Sequence, residues 1–426
     1  MSQPVADRLV SLRRDLHRHP EPAWCEFATT ARLVEEIRAL DVDGVAVGAD
    51  AYDPADRMAV PDDADLDEWL DRARDRGADP DLLDQLAGGH TGVVAWLDRG
   101  EGPAIGLRVD IDGLYIEESS DADHAPVAEG FRSEYDGTMH ACGHDAHMTW
   151  GLATLEAVAN SDFSGRFVVF FQPAEEASGG GHPMAESEYA ADLDYLLAVH
   201  VGLDHPTGTV VAGIEKPLAM CHVDATFRGT SAHAGKAPQD GDNAMQALGT
   251  AISNAYAIPR HADGMTRVNV GTAEAGTSSN IIAERAHLTG EARGETTELM
   301  EYMKERLERT LDTAAEMHGC ELSFDVVSES PRADSDPELR EHVEAVAHEA
   351  EGVEEVIPVA DFGASEDATF LMERVQEAGG LACYLVVGTD HPTSHHTPTF
   401  DVDERSLPIG VEVLTGTVQR LAELEP

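Results

Sequence analysis

The segment Phe167-Val-Val-Phe-Phe-Gln-Pro-Ala-Glu-Glu176 is a run of β-branched and aromatic residues that gives way, past one proline, to two adjacent carboxylates. Such an unbroken apolar run reads as a buried strand. In open α/β sheets the binding groups collect beyond the carboxyl ends of strands, so Glu175 and Glu176 stand where chemistry is expected.

The same grammar extends in both directions. Thr91-Gly-Val-Val-Ala-Trp-Leu97, Ile105-Gly-Leu-Arg-Val109 and residues 195–201 read as further buried strands, while residues 29–40 and 145–159 carry helical spacing. After Gly208-Thr-Val-Val-Ala212 the pattern changes: Val223-Asp-Ala-Thr-Phe227 alternates, helices fall near 241–257 and 295–317, and strands near 267–272 and 286–293. The larger pattern resumes near 335, with a helix at 337–350 and the strand Ala382-Cys-Tyr-Leu-Val-Val387. These alternations predict an α/β domain with a mixed central sheet flanked by helices, residues 1–213 and 331–426, interrupted by a smaller α+β domain at 214–330. The Asp- and Pro-rich stretch 49–80 has the look of an appended insertion.

Charge narrows the partners. Acids outnumber bases by 81 to 29, for a net charge of −52, and only Lys216, Lys236 and Lys304 are lysines. The acids run through predicted helices and loops alike, as in Asp62-Asp-Ala-Asp-Leu-Asp-Glu68. A surface so charged repels itself in dilute buffer, but at about 1 M salt the Debye length falls to roughly 3 Å. A salt-rich cytoplasm is the expected setting, and nucleic acid and anionic membrane are excluded as general partners. The start, Met1-Ser-Gln-Pro-Val-Ala-Asp7, has no signal-peptide pattern, and five scattered cysteines argue for a reducing compartment.

The densest chemistry lies in Met139-His-Ala-Cys-Gly-His-Asp-Ala-His147. A thiol among imidazoles suits zinc, manganese or cobalt. Histidine clusters also occur on ordinary surfaces, but three further donor sources follow: Glu175-Glu176, His200 at the end of Leu196-Leu-Ala-Val-His200, and the loop His395-His-Thr-Pro-Thr-Phe400. Donors at several strand ends are what a metal cluster assembled by folding requires. Two ions about 3.5–4 Å apart can activate a water and hold a carbonyl together.

In order and wording these motifs resemble the carboxypeptidase G and aminoacylase superfamily of co-catalytic metallopeptidases, in the branch of hippurate and indole-acetyl amino acid hydrolases. The resemblance spans nearly the whole chain, from Arg13-Arg-Asp-Leu-His-Arg-His-Pro-Glu21 through Arg108-Val-Asp-Ile-Asp112 and Ser231-Ala-His-Ala-Gly235 to the terminal histidine loop. It implies two divalent ions per chain, zinc or manganese or else cobalt, held by Cys142, His144, Glu176, His200 and His396. His396 is preferred to His395 because it heads His-x-Pro-x-Phe. It implies Glu175 as general base, and it puts Cys142 where other branches carry a bridging aspartate. Asp110 and Asp145 are candidates for orienting the histidines, against a plain structural role.

A finer resemblance is to the A-type subunits of the aminobenzoyl-glutamate hydrolases, carried by Arg57-Met-Ala-Val-Pro61, Gly88-Gly-His-Thr-Gly-Val-Val-Ala95 and Gly363-Ala-Ser-Glu-Asp-Ala-Thr369. It implies hydrolysis of the amide of N-acyl or N-aroyl amino acids, p-aminobenzoyl-glutamate foremost, with hippurate- or indole-acetyl-type substrates as the alternative. The smaller domain becomes a lid and dimerisation domain. Its His233 reaches across to the active site of a partner, and Asn280 and Arg293 hold the substrate carboxylate; Lys236 joins them as a candidate because a chain with three lysines keeps one inside Ser231-Ala-His-Ala-Gly-Lys236. A homodimer follows, or a complex with a B-type subunit. The bland alternatives are Arg293 paired with a neighbouring acid and Lys236 merely solvated. A non-catalytic relative would have lost Glu175 or several ligands, and none is missing. Gly179-Gly-Gly181 lacks the lysine of a phosphate loop, and the spacing of a zinc deaminase is absent. Ala283, in a place where the family carries proline, departs from the pattern without touching a proposed ligand.

Overall fold

The apolar run Phe167–Phe171 lies within strand Arg166–Gln172, buried from Phe167 onward, in the computed structural model, which describes residues 3–424. This strand belongs to an eight-stranded sheet ordered Gly44–Val47, Val93–Asp98, Arg166–Gln172, Ala104–Asp110, Tyr195–Val201, Leu381–Val387, Thr209–Val211, Glu355–Ile357. The four strands from Arg166–Gln172 to Leu381–Val387 are mutually parallel, and antiparallel neighbours adjoin them on both sides, so the sheet is mixed. Parallel pairing demands a crossover, which helix His144–Ala159 supplies between Ala104–Asp110 and Arg166–Gln172. The four strands therefore end on one edge, at Asp110, Gln172, Val201 and Val387.

Helix His144–Ala159 is buried around almost its whole circumference. It needs cover on several sides, and helices Gln3–His17 and Ser406–Ala422 pack against it. Stretch 49–80 corrects the picture of an appendage. Leu66, Trp69, Leu70 and Ala73 form an i, i+3, i+4, i+7 stripe on helix Asp63–Asp75, and these residues join the main core with Leu82, Leu83 and Leu86 of helix Pro80–Leu86. The segment is acidic only on its outer face.

The chain divides into two compact units, residues 1–215, 333–362 and 367–426 in one and 216–332 with 363–366 in the other. The second unit holds a four-stranded antiparallel sheet ordered Glu321–Ser330, Ala219–Arg228, Arg285–Gly294, Thr266–Ala275. Helices Ala244–Ala255 and Thr297–Met317 pack on it, and Val223, Ala225, Phe227, Leu248, Met303 and Leu307 belong to a separate core. Val223, Ala225 and Phe227 are buried on the packed face that the sequence alternation requires, with Asp224 part-exposed and Thr226 buried as well. No helix among the described residues is long and apolar enough to cross a membrane.

Helix Gln3–His17 is tied in by charge as well as by packing. Arg13 is fully buried, 2.8 Å from Asp145 and 2.7 Å from Asp401, while His17 lies 2.7 Å from Asp145 and 3.1 Å from Glu118. Burial and the Arg13 charge both disfavour protonated His17, yet the hydrogen bonds of Asp145 and Glu118 prevail and raise it to about 9. Because the folded value exceeds the ordinary 6.5, the resulting stabilisation is complete below pH 6.5 and is lost as pH rises through about 9. The size is on the order of 3 kcal/mol. A His17→Gln variant should be less stable at about pH 6 and lose most of the fall in stability between roughly pH 7 and 10, measured by denaturant titration. A fall as steep as in the wild type would contradict it.

Candidate metal centre

The shared edge of the four parallel strands gathers the donors. Asp110 ends one strand and Asp112 follows it, Glu175 and Glu176 follow Gln172, His200 sits at the end of Tyr195–Val201, and His396 follows Leu381–Val387. Cys142 and His144 flank Gly143, which caps helix His144–Ala159 with φ +84°. A Cβ on Gly143 would lie 2.3 Å from the Val201 side chain, so only glycine lets the thiol-bearing loop approach the strand of His200 so closely. The His396 amide donates to Ala141 O at 2.8 Å and fastens the C-terminal loop beside Cys142.

The outcome is a tight constellation. Cys142 Sγ lies 3.4 Å from His200 Nε2. His144 Nε2 is 3.7 Å from Glu176 and 3.8 Å from Glu175, and His396 Nε2 is 3.4 Å from Glu176. Among the described residues, five groups of three donors have ligand atoms that all lie within 4.8 Å of one another, and two of these contain the thiol: Cys142, His144 and His200, and Cys142, Glu176 and His396. Cys142 belongs to both.

Hydrogen bonds set the tautomers that such ligation needs. His200 donates through Nδ1 to Val201 O at 2.7 Å, and His144 through Nδ1 to Asp112 at 3.2 Å, which turns both Nε2 atoms to the site. His147 is different. Its Nδ1 donates to Asp110 at 2.5 Å and its Nε2 accepts the Val201 N–H at 2.8 Å, so both nitrogens are spent on holding the strand end. His395 likewise donates Nε2–H to Val201 O at 3.1 Å.

The residues fit a cationic cofactor. His144 Nε2 and Glu176 Oε1 are buried and have no hydrogen-bond partner, a costly state in the absence of a ligand. Burial opposes charge on His144, but Asp110, then Asp112 and Glu176, outweigh it and push the group up to about 10. Carboxylates are massed there beyond what the side chains neutralise. Burial holds His200 well below the ordinary histidine value, hence neutral, the form that ligates.

The other expected residues are distributed unevenly. Asp110 orients His147 and stands 3.6 Å from His144 Nδ1, so its closest imidazole is not that of an expected ligand. Asp145 turns away to Arg13 and His17, and the role of orienting a ligand passes to Asp112. Both aspartates of Arg108-Val-Asp-Ile-Asp112 end up on the site, Asp110 at the strand end and Asp112 two residues on in the same direction of alternation, just beyond it. That alternation was the available signal for Asp112. For Arg13, His17 and Glu118 there was none, since their partners lie far away in sequence. In the second unit, His233 bridges to Ile281, next to Asn280, and both His233 and Asn280 are exposed, as is Lys236. Arg293 is 2.9 Å from Glu291 on its own strand, the bland alternative to a substrate contact.

Comparison with known proteins agrees with this geometry. Over 413 residues, 96% of this chain and 94% of the relative, the sequence is 39% identical to an indole-3-acetyl-aspartic acid hydrolase of Enterobacter agglomerans. It is 37% identical over 417 residues, 97% of this chain and 95% of the relative, to the A-type subunit of the p-aminobenzoyl-glutamate hydrolase of Escherichia coli. A solved aminobenzoyl-glutamate utilization protein from Klebsiella pneumoniae superposes with a TM-score of 0.83 at 32% identity, covering 99% of this chain and 96% of that one. The family model for peptidase family M20/M25/M40 matches residues 106–420, a span that contains every donor of the constellation, and the chain belongs to that family.

Proposed function

We propose that the protein is a metal-dependent amidohydrolase that cleaves the amide bond of N-acyl or N-aroyl amino acids, with p-aminobenzoyl-glutamate as the leading substrate. The observation that carries this is the convergence of Cys142, His144, Glu176, His200 and His396 at one sheet edge, with the Glu175 carboxylate 3.8 Å from His144. These five would hold two divalent ions, zinc or manganese or cobalt. Bound ions of this kind acidify water and polarise the scissile carbonyl. Glu175 takes the proton of the attacking water and delivers it to the leaving nitrogen. The 39% identity to an indole-acetyl-aspartate hydrolase supports the second reading, an indole-acetyl conjugate as substrate.

Glu175→Gln should retain two ions per chain and the fold while losing about 10²–10⁴ in rate, because the amide cannot take the proton. The checks are turnover of p-aminobenzoyl-glutamate and metal analysis, with chelation abolishing wild-type activity. Near-normal turnover by the loaded variant, or full activity with one ion or none, would contradict the assignment.

The second unit is proposed as the lid and dimerisation domain, or the contact for a B-type subunit, since one relative is named as the A-type member of a hydrolase. His233 would help hold the scissile carbonyl from across that interface, and Asn280, Arg293 and Lys236 the substrate carboxylate. Glu291 must then release Arg293 to substrate. Arg293→Ala should chiefly raise KM, because a remote carboxylate is held alike in ground and transition states, whereas His233→Ala should lower kcat. Unchanged values for either variant remove that residue's role.

A salt-rich cytoplasm remains the proposed setting, supported by the net charge of −52. Thermal melting should shift downward as salt falls below about 0.5 M. A melting temperature indifferent to salt would dismiss it.

A further inference from the structure

Glu26 stands where a helix-capping side chain would be expected, at the start of helix Phe27–Arg38, yet its carboxyl makes no capping bond. Glu21 does that work, accepting the amides of Ala28 at 3.0 Å and Thr29 at 2.7 Å. The Glu26 side chain is thereby released into the interior, where it is fully buried. Its Oε1 accepts the amide of Ala174 at 2.8 Å, and its Oε2 lies 2.6 Å from the Thr91 hydroxyl.

Ala174 is the residue immediately before Glu175, and its φ of +54° is one that side-chain-bearing residues rarely adopt. That left-handed step turns the chain out of strand Arg166–Gln172 and aims Glu175 at His144. The turn closes with the Ser178 amide on Glu175 O at 2.7 Å and the Gly179 amide on Ala174 O at 2.9 Å. The next anchor is Asp112, which accepts the Glu176 amide at 3.0 Å. The two carboxyl groups thus grip the backbone on either side of Glu175.

We infer that Glu26 is a positioning residue for Glu175, holding the strained Ala174 turn through the Ala174 amide so that the general base keeps its place. The inference rests on the role proposed for Glu175. Among the described residues, no positive side chain is hydrogen-bonded to Glu26, and burial, with the charge of Asp112 added, raises it well above the carboxylate range. Its work is hydrogen bonding, which an amide of the same shape can do: glutamine accepts from Ala174 N–H and donates to the Thr91 hydroxyl.

The test compares Glu26→Gln, Glu26→Ala and Glu175→Gln with the wild type, in metal-loaded protein at high salt. Hydrogen exchange over residues 173–180, metal content, kcat and KM for p-aminobenzoyl-glutamate are measured. Glu26→Ala should keep two ions and a KM within about threefold of wild type while kcat falls at least about tenfold, with faster exchange over the turn. Glu26→Gln should restore slow exchange and bring kcat back within about threefold. A Glu26→Gln variant that binds metal but is as slow as Glu26→Ala overturns the inference, and so does a Glu26→Ala variant with normal kcat and normal exchange. If Glu26→Ala does not fold, Glu26→Gln decides alone, with retained kcat and slow exchange supporting the role and loss of either refuting it. Failure of the underlying functional reading shows separately, as Glu175→Gln with undiminished turnover or as wild-type protein without turnover.

Discussion

Arg108 is fully buried at the middle of the sheet's carboxyl edge, and its guanidinium donates to Asp110 and Gln172 at 2.8 Å and to Asp367 at 3.0 Å. A buried charge is tolerated only when it is paired and hydrogen-bonded, and here one cation satisfies two carboxylates. Asp367 passes the bond on to the Gly181 amide at 2.8 Å, and Asp110 passes it to His147, which takes the amide of Val201. One continuous chain of bonds thereby runs from the glycine loop after Glu176 to the strand end that carries His200. Of the candidate donors, His200 adjoins a residue that this chain of bonds holds directly, Val201.

Compensation of buried charge also separates structural groups from functional ones. Arg13 and His17 neutralise Asp145 and Glu118 beneath the helix that begins at His144. Arg108 is paired with both Asp110 and Asp367, and His147 is hydrogen-bonded to Asp110. Around His144 the balance changes: Asp112, Glu175 and Glu176 crowd one imidazole, and polar atoms of His144 and Glu176 are left without partners. Among the described residues, this excess of negative charge is the feature that a pair of divalent cations would remove. The same logic sets His147 apart, since its two nitrogens already serve a carboxylate and a backbone amide.

Much of this could be read directly from the chain. Short apolar runs rich in β-branched and aromatic residues and bounded by turn residues, such as Phe167–Phe171 before Pro173, mark buried strands. The donor types in Met139–His147 and Glu175-Glu176 carry their chemistry with them, and the alternation in Val223–Phe227 marks a sheet with one packed face. The acid surplus is likewise a property of composition. Stretch 49–80 misled because its dense aspartates hide a helical stripe of Leu66, Trp69, Leu70 and Ala73, which shows only when the residues are placed at about 100° intervals.

Tertiary structure decided whatever depended on partners far apart in sequence. Which nitrogen of His200 or His144 faces the site is set by Val201 O and Asp112, and sequence contains no tautomer. That Asp112 rather than Asp145 supports His144 follows from the direction each side chain leaves its backbone, one just past a strand end and the other in the first turn of a helix. Glu26 lies 148 residues from Ala174 and reads as an ordinary helix-start acid until folding brings the two together. Local sequence determines elements and donor chemistry because those follow from near neighbours, whereas the pairing of buried charges is settled only when distant segments share one low-dielectric interior.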